Sequence, residues 1–226
     1  MQLIDNQFEV ENYNNDFLLI KSTDGSTLSA FGKAIYEYQF PFIRQVIVTE
    51  KEICLQLNQH FKESDIDQLS LLNQETHFIS KSYELPVFFN ESEDWKEVTR
   101  VTGFSKRDII QQLTNQEFPV AMFGFLPGFI YLNGLDASLH VPRKSVPAKY
   151  VEAGSIAIGG KYLGLYGLDS PGGWQVIGKM PVSLLQIPHL PPMKVNLGDK
   201  IKLRAVEKDD FAQILKQNIS LAECEI

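Results

Sequence analysis

Nine of the 11 prolines fall at or after position 119. A proline fixes its own φ, removes a backbone donor and pushes the preceding residue out of the α region, so a stretch studded with prolines cannot be built from long helices. From Pro119 onward, short apolar runs alternate with Gly and Pro. Many short strands joined by such turns predict a closed or nearly closed β-barrel. A short amphipathic helix over 208–216 is expected near the end.

The first 80 residues hold one proline, Pro41, and read as mixed α and β. Phe17 to Ile20 is a strand, ended by Asp24-Gly25. Leu28, Phe31, Ile35 and Tyr38 recur at helical spacing and predict a helix over 26–39, stopped by Pro41. Ile43 to Thr49 and Ile53 to Leu57 are strands joined through Glu50-Lys51-Glu52. Ser64 to Leu72 is a helix with Ser64 as N-cap and Asp67 three residues on, and Thr76 to Ser80 is a strand. The order strand, helix, strand, strand, helix, strand is that of a ferredoxin-like domain. A second unit starts near Glu84 with a strand over 85–89. Two helices over 94–101 and 106–115 follow, with Ser105 and Asp108 as a capping box. The division expected is therefore an α+β domain over 1–83 and a barrel domain over 84–226 with a helical insertion near 94–115.

Charge and composition exclude several classes. The 226 residues carry 21 Lys+Arg against 28 Asp+Glu, a formal net charge of -7. A chain this acidic lacks the electrostatic footprint of a nucleic-acid binder, so the helix pair is an insertion rather than a DNA-reading motif. Cys54 and Cys224 are too few for a disulfide framework or a Cys-rich zinc site, and His60, His77, His140 and His189 are scattered without ligand spacing. No metal is expected. No apolar run approaches the ~20 residues that span a bilayer. Met1 to Asp5 lacks the basic-then-apolar pattern of a signal peptide. A cytoplasmic protein is the expectation, with no nucleic-acid or membrane partner. The nearest approach to a phosphate loop, Gly154 to Tyr162, puts Ser155 where Gly is needed and Tyr162 where a hydroxyl should hold magnesium.

Three segments carry chemistry. In Phe123 to Tyr131, two glycines and a proline among large apolar residues give a tight loop lined by Phe125, Pro127, Gly128, Phe129 and Tyr131. In Val141 to Pro147, Arg143 stands just after a proline, as a planar donor fork suited to a carboxylate or phosphate. Just beyond, Ile156 and Ile158 alternate with Ser155 and Ala157, leaving a small-residue face open to something flat. In Tyr166 to Gly178, Gly172 and Gly173 permit positive φ, so that N–H groups could converge into an anion nest after Ser170-Pro171. Trp174 adds a flat apolar wall, Gln175 an amide and Tyr166 an aromatic lining. No general base is identifiable.

At these segments the chain resembles the family of the B-type subunit of bacterial 5-oxoprolinase, also called allophanate hydrolase subunit 1, which includes the sporulation kinase inhibitor KipI. The resemblance lies in Gly124 to Leu132, Pro142-Arg143, Val151 to Ile156 and Ser170 to Gly178, and covers about 85–206. Lys149, Gly159-Gly160, Gly167 and Lys179-Met180 depart from the usual pattern. The resemblance implies a ferredoxin-like N-terminal domain and a cyclophilin-like C-terminal barrel, and prolyl isomerisation does not follow from that fold. It implies one component of an assembly that opens 5-oxo-L-proline to L-glutamate, whose other members are a homologous C-type subunit plus an A-type subunit. ATP would be used by the assembled complex and not clearly bound here, and the chain alone would be inactive. In that reading Arg143 meets the ligand's negative charge, the 170–173 turn an oxyanion or phosphate, and Trp174 the ring. Two alternatives stand beside it: a KipI-like protein that docks on a histidine kinase, and a stand-alone relative of the carboxyltransferase part of urea carboxylase.

Overall fold

The computed structural model describes residues 2–4, 8–22, 28–75, 79–186 and 193–226, and the chain divides into two units, Met1–Ile79 and Ser80–Ile226. In the first, Phe8 and Val10 alternate with polar residues, so the chain before Phe17 forms strands as well. The elements are β1 (Gln2–Ile4), β2 (Phe8–Tyr13), β3 (Phe17–Ser22), α1 (Leu28–Tyr38), β4 (Ile43–Val48), β5 (Glu52–Leu57) and α2 (Glu63–Glu75). Asn14 and Asn15, at φ 53 and 60, make the β2–β3 turn, a conformation that Asn tolerates better than most residues.

The sheet order is β1-β2-β3-β5-β4, with every neighbouring pair antiparallel. β3 and β4 are therefore parallel, joined through α1 with β5 between them. The place beside β3 is taken by β2, which the sequence reading missed. The strand expected over 76–80 falls largely on residues outside those described. Leu18, Ile20, Ile53 and Leu55 pack against Phe31 and Ile35 of α1 and Ile66 and Leu69 of α2. Ser64 does not cap α2, as expected from sequence, but lies inside it. The buried Asp65 carboxylate instead reaches back to accept the Lys62 N–H at 2.9 Å.

The second unit comprises β6 (Ser82–Val87), α3 (Trp95–Thr102), α4 (Lys106–Thr114), β7 (Glu117–Phe123), β8 (Ile130–Leu132), β9 (Ala148–Val151), β10 (Ser155–Gly159), β11 (Tyr162–Leu165), β12 (Ser170–Gly172), β13 (Gln175–Lys179), β14 (Lys200–Ala205) and α5 (Lys208–Gln217). Ser105 caps α4 as its spacing with Asp108 predicts, accepting the Asp108 N–H. Seven strands form one sheet in the order β13-β10-β11-β8-β7-β14-β6, and β9 and β12 form a separate pair. All ladders of the large sheet are antiparallel except β14 with β6. The sheet curls until its two edges meet, where Phe88 and Lys179 exchange backbone hydrogen bonds of 2.8 and 2.9 Å. Phe129 before β8, Val151 of β9, Tyr166 after β11 and Trp174 before β13 pack into one cluster. α5 has no buried side chain, although the Phe211 ring lies 5.8 Å from that of Phe88. No helix among the described residues is long and apolar enough to cross a membrane.

Candidate functional site

The small residues of β10 and β11 make room for an aromatic ring from the chain itself. All five residues of β10 are buried. A side-chain carbon on Gly159 would run into the Trp174 indole, and one on Gly164 would lie 2.8 Å from it and 2.7 Å from Phe129. The open face expected for a flat ligand is thus filled by Trp174, which is only 6% exposed. Its indole is floor and core at once rather than a free wall. Phe129, fully buried, sits at the centre of an edge-to-face cluster, with ring centroids 4.7 Å from Tyr131, 4.8 Å from Tyr166, 5.6 Å from Trp174 and 5.4 Å from Phe125.

The 124–128 loop closes over one side of this cluster. Gly128 has φ +76 and its Cα faces the Leu185 side chain, so both conformation and space demand glycine there. Pro127 is exposed. Phe125 is exposed and holds φ 66, a left-handed conformation that costs a bulky residue on the order of 1 kcal/mol or more.

The 170–173 segment differs from the expected anion nest. Neither Gly172 nor Gly173 has positive φ. Ser170 to Gly172 is an extended strand, paired with β9 through Ser170 opposite Val151 and Gly172 opposite Ala148. Gly172 is required by proximity instead: an added Cβ would lie 2.6 Å from the Tyr166 hydroxyl. With the N–H groups spread along a strand, no cradle forms there for phosphate. Pro171 is exposed, whereas Ser170 is buried and its hydroxyl has no hydrogen-bond partner. Ser155 is buried, and its carbonyl accepts the Tyr166 N–H at 2.9 Å, which makes it part of the frame.

Arg143 stands at the surface above the indole, its Cζ 5.4 Å from the Trp174 ring centroid. That is cation–π geometry. Both flanking residues are tied down: the Gln175 amide donates to the Pro142 carbonyl at 3.2 Å, and the Lys144 N–H donates to the Gly173 carbonyl at 2.6 Å. The buried Gln175 is therefore committed to the loop rather than free for a ligand. Burial pushes the Tyr131 hydroxyl above its ordinary pKa, with the Arg143 charge opposing. Burial, helped by Tyr131, pushes Tyr166 up to about 12, again against Arg143. Both phenols are neutral at physiological pH and keep their protons for donation.

Two further residues belong to this arrangement and were not singled out from sequence. The Lys144 Nζ lies 2.6 Å from Asp94 Oδ2, with both side chains largely withdrawn from solvent, and the same oxygen accepts the Val176 N–H at 2.8 Å. Asp94 occupies the N-cap position of α3, yet its own backbone is α-helical and its side chain makes no cap bond. An acidic residue before a helix reads as a cap. Only the missing capping geometry shows that its carboxylate is spent elsewhere. Among the described residues no group of three or more His, Cys, Asp or Glu side chains could hold a metal ion.

A curled β-sheet unit with an arginine laid over an aromatic floor, preceded by a five-stranded α/β unit, is the class of protein these features define. Residues 13–194 match the family described as carboxyltransferase domain, subdomain C and D, and the chain belongs to that family. It is 37% identical over 130 residues to the B-type 5-oxoprolinase subunit of Bacillus subtilis, a match covering 57% of this chain and 54% of that protein. It is 34% identical over 139 residues to the B-type 5-oxoprolinase subunit of Haemophilus influenzae, covering 61% of this chain and 65% of that one. The matched region thus spans less than two thirds of either relative. The crystal structure of Kluyveromyces lactis urea carboxylase shares the fold, with a TM-score of 0.67 at 17% identity over 93% of this chain and 23% of that chain.

Proposed function

We propose that this chain acts as the B-type subunit of a 5-oxoprolinase, contributing a binding surface for a small carboxylate in the ring opening of 5-oxo-L-proline to L-glutamate. The observation that carries this reading is Arg143, exposed but fixed at both neighbours, held over the Trp174 indole inside a family whose curated relatives bear that name. A guanidinium offers a forked, charge-assisted contact to a carboxylate. The neutral Tyr131 phenol, half-buried and with its ring 5.5 Å from the same indole, supplies a further donor. In this reading the N-terminal unit is a ferredoxin-like domain extended by the β1–β2 hairpin, and the second unit a cyclophilin-like barrel. The assembly, located in the cytoplasm, adds a homologous C-type subunit plus an A-type subunit. ATP is used by that assembly and is not assigned to this chain, whose 170–173 segment is an extended strand and whose 154–162 segment lacks the phosphate-loop pattern.

The test is reconstitution. The chain alone should release no glutamate from 5-oxoproline, and co-expression with its A-type and C-type partners should. In that complex Arg143→Ala should raise the KM for 5-oxoproline by roughly ten- to hundred-fold, the value of a charge-assisted contact of about 1.5–3 kcal/mol. The melting temperature should stay put, since the guanidinium is exposed. Unchanged kinetics would place the carboxylate elsewhere.

A further inference from the structure

We propose that Asp94 and Lys144 form a clamp that positions Arg143 over Trp174. The inference rests on the reading of Arg143 as the ligand contact but concerns residues to which that reading gives no role. The segment Pro142-Arg143-Lys144 lies outside any strand and is held by three bonds. The Pro142 carbonyl accepts from the Gln175 amide at 3.2 Å, the Lys144 N–H donates to the Gly173 carbonyl at 2.6 Å, and the Lys144 ammonium pairs with Asp94 at 2.6 Å. The first two come from the segment carrying Trp174 itself. The third reaches across from the start of α3, and its carboxylate is anchored in turn by the Val176 N–H at 2.8 Å. The indole and the loop above it are therefore referred to the same strand, β13, from both sides.

Local structure does not require Asp94 to behave this way. An Asp at an N-cap position normally accepts from the helix's own N–H groups, and α3 forgoes that bond. Positioning also explains why the cation beside Arg143 is neutralised. With Lys144 paired to Asp94, Arg143 is left as the exposed positive charge of this loop segment, which suits one carboxylate and keeps the two cations from competing for it. The charge of Asp94 acts on Tyr166 as Arg143 does, with opposite sign, so the three lie within one electrostatic neighbourhood.

The experiment separates positioning from folding with Asp94→Asn. The amide oxygen can still accept from Val176, while the charge that holds Lys144 is gone. The two indole N–H resonances of the full chain, Trp95 and Trp174, are assigned with Trp95→Phe. Arg143→Ala should shift the Trp174 signal. Asp94→Asn should shift it the same way, and the double variant should match Arg143→Ala alone. Lys144→Met, which cuts the clamp at its other end, should reproduce Asp94→Asn and serves if Asp94→Asn does not fold. A Trp174 signal unmoved by both clamp variants, or moved equally with Arg143 absent, overturns the proposal. In the reconstituted complex, Asp94→Asn should raise the KM for 5-oxoproline roughly tenfold at unchanged kcat, because it removes ground-state orientation. If Arg143→Ala leaves KM unchanged, the substrate reading fails, and the indole signal still decides the clamp.

Discussion

Trp174 is held by what its neighbours lack. Gly159 and Gly164 give up their side chains to the indole, and Phe129 meets it edge-on at 5.6 Å. The residue is therefore structural first. Trp174→Ala should cost ~3–5 kcal/mol, the usual range for emptying a large aromatic site in a core. Gly164→Ala should cost about 1–3 kcal/mol by forcing the Phe129 and Trp174 rings apart. Denaturant midpoints measure both. A Trp174→Ala midpoint equal to wild type would mean that the indole contributes to ligand contact alone. The glycines at 172 and 173 carry the related lesson that a glycine pair licenses positive φ without requiring it: here Gly172 serves the close approach of Tyr166.

At the scale of elements, the parallel ladder between β6 and β14 depends on one buried carboxylate. Asp199 is fully buried, and it accepts the Lys81 N–H at 3.0 Å through Oδ1 and the Asn196 N–H at 2.7 Å through Oδ2. It thereby fixes the entry of both strands, which run in register from Lys200 opposite Ser82 to Ala205 opposite Val87. Asp199→Ala leaves two donors without their acceptor and should cost about 3–6 kcal/mol, each bond to a charged group being worth ~1.5–3. Asp199→Asn should destabilise too, because its amide group would face one of the two donors. Hydrogen exchange should show the loss concentrated in β6 and β14. Protection lost uniformly across the sheet would show that Asp199 does not act locally.

For the molecule as a whole, the boundary between the units has a defined position. Ile79 is 84% exposed, whereas the next residues are already bound into the second unit: Ser80 Oγ donates to the Gly198 carbonyl at 2.8 Å and the Lys81 N–H to Asp199. Limited proteolysis should therefore cut at or before Ile79 and spare Ser82–Val87. A fragment beginning near residue 80 should remain folded. Cleavage first inside Ser82–Val87 would contradict this.

Alkali tests the second unit's interior. Burial raises Tyr83 and Tyr166 from the ordinary 10.0 to about 12. The unfolded chain then loses these protons first. Their contribution to stability is complete below pH ~10 and falls as pH rises toward ~12. The denaturant midpoint should drop over that interval, and Tyr166→Phe should flatten part of the drop. A midpoint constant across it would mean that both phenols titrate normally.

Composition, proline placement and helical spacing by themselves determine the acidic, two-part α+β chain, with α1, the α3–α4 pair with its Ser105 cap, and a barrel-like run of short strands after Pro119. Each of these follows from local sterics or from periodicity. The sequence motifs also mark Phe129, Arg143 and Trp174, because such residues in Gly- and Pro-bounded segments have few local explanations. Three things were settled by tertiary structure alone. β2 took the place beside β3, since pairing is decided across the sheet and not along the chain. The 170–173 segment became a strand because β9 was there to pair with it, whereas its glycines allowed a nest equally well. Asp94 abandoned its helix for Lys144 and Val176, 50 and 82 residues away, because a charge goes where the folded chain places its partner, and no spacing in the sequence records that distance.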